Sequence, residues 1–126
     1  MVADGTGDAQ LGDLKRLRAA LANVADDITL PQLLTLVTVA LEPGLSINEL
    51  AASIDTPQQS ASRYASTLLG RYADALNGQA REPLLEQKIS LSDPRKRALF
   101  LTEAGRKIVS ELVKTIWPNT NSTKEG

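Results

Sequence analysis

The sequence predicts a mainly α domain with one small β-hairpin, arranged as a winged helix-turn-helix. Three observations carry this. The stretch SINELAASI opens with Ser46 and Glu49 at capping-box spacing. After a short turn, TPQQSASRYASTLL reads as a helix with one polar face. Then KISLSDPRKRALFLTEAG reads as two short strands around a basic tip, leading into another helix. Helix, turn, helix, basic hairpin, helix is the order that sets one helix in a DNA major groove and a wing beside it.

In chain order, residues 1–10 lack periodicity and read as a disordered start. Leu11, Leu14, Leu17, Leu21, Val24 and Ile28 then recur at three-and-four spacing, which predicts an amphipathic helix over 11–26. Pro31 suits the first turn of a second helix, Gln32 to Glu42, apolar nearly all round and expected to be the most buried; Pro43 and Gly44 end it. Leu45 and Leu50 can form the hydrophobic staple that accompanies the Ser46 cap of the third helix. Asp55 and Thr56 make the turn, with Thr56 as cap and Pro57 as first residue of the fourth helix. Ala61, Ala65, Leu68, Tyr72 and Leu76 form one face of that helix, and Asn77 with Gly78 offers an end near 77.

From Leu85 the pattern becomes alternating, with Leu85, Gln87, Ile89 and Leu91 on one face and Glu86, Lys88 and Ser90 on the other. Ala98 to Leu101 is the returning strand. Thr102 caps a last helix striped by Ile108, Leu112, Val113, Ile116 and Trp117. Pro118 opens a polar tail, 118–126, read as disordered, so residues 11–117 are the expected folded domain.

Composition narrows the function. The chain has 126 residues and 42% hydrophobic content, enough for one core. It has no Cys and no His, which removes disulfides, thiolate and imidazole chemistry and ordinary zinc sites; no metal or cofactor is expected. One Trp, one Phe and two Tyr supply no stacking platform for single-stranded nucleic acid. No apolar run has the length of a membrane span and the start lacks a secretory signal, so a cytoplasmic protein with no membrane partner is expected. Asp26 and Asp27 are adjacent and diverge, and neither a phosphate loop nor a nucleophile motif is present, so no enzymatic activity is expected.

Net charge is −1, yet it is unevenly spread. Residues 19–56 carry five acids and no base, whereas 57–107 carry nine bases against five acids. A basic reading side on an acidic support suits a one-sided DNA binder. The candidate contacts are Gln58, Gln59, Ser60, Ser62, Arg63 and Ser66 on the fourth helix, with Arg95, Lys96 and Arg97 on the wing. Glutamine pairs with adenine, arginine with guanine, and serine with either or with phosphate. The same residue types also occur on ordinary solvated helices; their place after a capped partner helix and before a basic hairpin favours DNA.

SINELAASI, Ser62 and Arg63 followed by Leu68 and Leu69, PLLEQ, and above all DPRKRALFLTEAGRKIV resemble the MarR-type winged-helix transcriptional regulators over residues 30–112. The resemblance implies a homodimer built from N- and C-terminal helices, reading a pseudo-palindromic double-stranded DNA site, with an effector pocket between dimer helices and DNA-binding lobe; no residue identifies an effector. The chain departs from the family in the segment RYADALNGQAR, in a shorter wing and in a short last helix. The expected function is sequence-specific transcriptional regulation, as a repressor, with residues 57–70 in the major groove and 92–98 on the minor groove or backbone. The alternative is a winged-helix module that docks a protein partner in a replication or regulatory assembly.

Overall fold

The computed structural model describes residues 8–24, 27–70 and 82–117. Two compact units divide the chain, residues 28–109 and residues 1–27 with 110–126. In the first lie α2 (Leu30–Leu41), α3 (Ile47–Ser53), α4 (Gln58–Leu68), β1 (Leu85–Ile89), β2 (Arg97–Leu101) and the start of α5 (Glu103–Ile116). The second holds α1 (Asp8–Ala22) and the remainder of α5.

The core of unit 28–109 takes one fully buried leucine from each of its complete elements: Leu36 of α2, Leu50 of α3, Leu68 of α4, Leu85 of β1 and Leu99 of β2. Ala61 and Ala65 are buried beside them, and Ile108 and Val109 at the start of α5 pack against the cluster. Small residues on α4 permit the close approach that a helix-turn-helix pair requires.

Helices α2, α3 and α5 begin where the sequence supplies a cap. The Ser46 amide donates to Glu49 Oε1 at 2.8 Å and the Glu49 amide donates to Ser46 Oγ at 3.2 Å, the expected capping box. Leu45 and Leu50, the two staple residues, are both buried. A second box, Thr29 with Gln32, starts α2 two residues earlier than its proline alone suggests. Thr35 and Thr38 are buried because their hydroxyls donate to the Pro31 and Leu34 carbonyls, 2.8 Å each.

Several boundaries differ from the sequence expectation. Helix α1 starts at Asp8 and ends at Ala22, short of 26, where the Asn23 amide turns back to Ala19 and Ala20. Helix α2 is not apolar-buried all round: Leu30, Leu34 and Leu41 are exposed. Pro57, not Thr56, holds the cap position of α4, in extended backbone and with no side-chain cap bond. Asp55 takes a left-handed φ of 53° in the turn before it, a conformation Asp tolerates better than most residues.

The fourth helix stops at Leu68, not near 77. Gly70 adopts φ 89° and its amide donates to the Thr67 carbonyl at 3.0 Å, the close of a left-handed C-cap. Tyr72, Leu76 and the Asn77–Gly78 pair fall in 71–81, outside the described residues, as do 1–7 and 118–126 of the expected disordered ends.

Strands β1 and β2 pair antiparallel, Leu85 opposite Leu101 through Ile89 opposite Arg97. The Gly44 amide donates to Leu99 O at 2.7 Å and the Leu99 amide to Leu45 O at 2.9 Å, so the second edge of β2 is also engaged. Three bonds converge where the hairpin leaves the core: Leu84 N to Leu68 O, Thr102 N to Leu84 O, and Thr102 Oγ1 to Pro83 O at 2.7 Å. The Thr102 hydroxyl also accepts from the Gly105 amide at 3.1 Å, the cap expected for the last helix.

Candidate nucleic-acid interface

Helix α4 divides into a packed side and a free side. Ala61, Ala65 and Leu68 are buried, while Gln58, Gln59, Ser62 and Arg63 are exposed and Ser60 is half-buried. Ser66 corrects the expectation: at 9% exposure it does not lie on the free face. The last turn of α4 is buried through Ala65, Ser66 and Leu68 together, which confines the polar face to the first two turns. With Pro57 as an uncapping N-cap, the first amides of α4 have no side-chain acceptor, and the positive end of the helix dipole lies beside Gln58 and Gln59.

The wing tip is a fixed loop, not a loose one. The Ser90 amide donates to Lys96 O at 3.0 Å and the Lys96 amide to Asp93 O at 2.9 Å. The Asp93 amide donates to Ser90 Oγ at 3.3 Å. Asp93 Oδ1 accepts from the Arg95 amide at 3.1 Å and lies 3.6 Å from Arg95 Nε. So exposed a pair adds little stability, but it biases where the guanidinium points. Asp93 is thus a positioning residue that composition alone assigns only to the turn; the Asp-x-Arg spacing, an Asx-type turn, is the signal that identifies it.

Arg95, Lys96 and Arg97 are all exposed at this tip, as anticipated. Two other bases of the unit are engaged structurally. Arg106 Nη1 donates to Leu101 O at 3.1 Å, and Lys88 Nζ stands 5.3 Å from the Phe100 ring centroid. The Lys96 charge also reaches α3: the Glu49 carboxyl is held below its ordinary pKa chiefly by its hydrogen bond with the Ser46 amide, which outweighs the opposing effect of desolvation, with a lesser contribution from Lys96. The wing and the capping box of the helix-turn-helix therefore share one electrostatic neighbourhood. No group of residues able to hold a metal ion occurs among the described residues, and none of the described helices is long and apolar enough to cross a membrane.

No protein-family profile and no curated protein sequence matches this chain. Its structure, by contrast, resembles many solved ones. Rv1404 from Mycobacterium tuberculosis superimposes with a TM-score of 0.68 at 19% identity, over 98% of this chain and 77% of that one. CouR, a transcriptional repressor bound to a 23-mer DNA duplex, gives 0.59 at 22% identity, over 92% of this chain and 72% of that one. MepR of S. aureus in its DNA complex gives 0.57 at 20%, over 94% and 82%. Identity this low speaks to the fold alone. The chain has the MarR-like winged helix-turn-helix fold.

Proposed function

We propose that this chain is a sequence-specific double-stranded DNA-binding transcriptional regulator, a cytoplasmic repressor that acts as a homodimer. The observation that carries the reading is the division of α4, whose alanines and Leu68 anchor it in the core while Gln58, Gln59, Ser62 and Arg63 stand free directly after a capped partner helix. The first two turns of α4 enter the major groove, and Arg95, Lys96 and Arg97 engage the minor groove or its phosphates. That CouR and MepR are known bound to DNA supports the same use of the shared fold.

Selection of bound sequences from random duplexes, followed by a salt series on the selected site, tests this. A palindromic consensus is expected, with log affinity falling linearly against log salt concentration. Absence of binding to any duplex at low salt overturns it.

A second reading has one observation in its favour. Leu30, Leu34 and Leu41 form an exposed apolar stripe on α2, in the acid-rich part of the chain, a surface suited to a protein partner. If joint replacement of Arg95, Lys96 and Arg97 left activity intact while charges placed on this stripe abolished it, the protein-docking reading would prevail.

A further inference from the structure

The wing carries a side chain that its bases do not explain. Leu91 is 102% exposed, the most exposed large apolar residue described, and it opens the tip loop whose other end is Arg95. The Ser90–Lys96 backbone bond and the Asp93 amide bond to Ser90 Oγ close this loop, and Leu91 lies within it with its side chain wholly in solvent. Ile89, 58% exposed and directly opposite Arg97, extends the apolar strip down the hairpin.

An apolar side chain gains nothing from a phosphate oxygen. Set among Arg95, Lys96 and Arg97, however, it can be covered only by a partner that is negatively charged at its rim and apolar within. A nucleic-acid groove has that profile, with phosphates outside and sugar and base faces inside. A basic tip with a projecting leucine is the equipment of minor-groove binders that part a base step with an apolar wedge.

We propose that Leu91 is such a wedge. It enters the minor groove beside the wing bases, partly unstacks one base step and favours flexible pyrimidine–purine steps at that position of the site. The inference rests on the DNA-binding reading above.

The test uses the full chain and its selected duplex, with 2-aminopurine placed in turn at the steps flanking the α4 contacts. Wild-type protein is expected to raise the fluorescence at one step, reporting unstacking. Leu91→Ser is expected to abolish that rise and weaken binding on the order of tenfold, the affinity equivalent of burying a leucine side chain. Leu91→Met, still apolar, is expected to restore both. All three proteins should melt at the same temperature, because Leu91 buries nothing in the free protein. Wild-type affinity and fluorescence in Leu91→Ser overturn the wedge while leaving DNA binding in place, as does equal loss in the Met variant. A wild-type protein that binds no duplex overturns the DNA reading itself, and the wedge with it.

Discussion

Gly105 shows how one atom can decide a junction. A Cβ built on it overlaps the Leu84 carbonyl oxygen, the same oxygen that accepts the Thr102 amide. The start of α5 lies so close to the entry of β1 that no side chain fits between them. Gly105→Ala must therefore push α5 off the hairpin, and a destabilisation of about 1–3 kcal/mol is expected, read as a lower denaturation midpoint at unchanged slope. Unchanged stability would show that the junction yields. Glu49 is a second case, and its pH dependence has a definite sign. Its folded pKa lies below the ordinary 4.5 because the Ser46 amide and then Lys96 favour the charged form. The unfolded chain binds the proton more readily, so this contribution is fully present above 4.5 and is lost as the pH falls through the lowered folded value. Glu49→Gln should flatten the acid limb of a stability–pH curve and leave its neutral region parallel to wild type; an unaltered acid limb would remove the carboxylate from that account.

Helix α4 has one packed side and a polar face that is short. Ser66 is buried and Arg63 exposed, so their replacements should separate. Arg63→Ala is expected to cost about 1–3 kcal/mol of DNA affinity and relax one position of the consensus, with little change in melting temperature. Ser66→Ala should leave affinity near wild type, and an affinity loss there equal to that of Arg63→Ala would contradict the placement of the free face. Serine at 66 and serine at 62 look alike by helical periodicity, since both fall on the polar side at 100° per residue; what distinguishes them is how deeply the last turn is embedded, a tertiary fact. The same division explains what was legible elsewhere. The Ser46 box and the Thr102 cap depend on groups a few residues apart, and the sequence pattern located them. The end of α4 did not follow from the Asn77–Gly78 pair, because Gly70, with its φ of 89° and its amide donating to the Thr67 carbonyl, closes the helix after Leu68. The Thr29–Gln32 box is as local as the others, and it sets the start of α2 at Leu30, ahead of the Gln32 start that Pro31 suggests. The wing bases were legible as charge; the tip that fixes them was not, since it depends on the Ser90–Lys96 closure and on Asp93.

The largest departure from simple burial lies in the unit formed by residues 1–27 and 110–126. Leu11, Leu14, Leu17 and Leu21 recur at helical spacing along α1, yet each is between 41% and 55% exposed, and Val113 and Trp117 near the end of α5 are exposed as well. An open apolar depression runs along α1 between Leu14, Leu17 and Leu21. A chain whose α1 stripe was meant for its own core would not leave four leucines half in water. A second copy, meeting this stripe across a two-fold axis, would cover it and set two α4 helices for a symmetric site. Charges placed in the stripe should then separate assembly from folding. In Leu14→Glu/Leu21→Glu, four leucines leave a two-fold interface at once, a loss on the order of 6 kcal/mol at about 1.5 kcal/mol each. Wild type is expected to sediment as a dimer and the variant as a monomer. The core of unit 28–109 contains neither residue, so the variant should keep its far-ultraviolet circular dichroism. On DNA, the variant should lose tight binding to the full palindrome and retain weak, strongly salt-dependent binding to a half-site, because α4 and the wing are untouched. A wild type that sediments as a monomer, or a variant that remains a dimer, would show that the leucines of α1 serve some other partner.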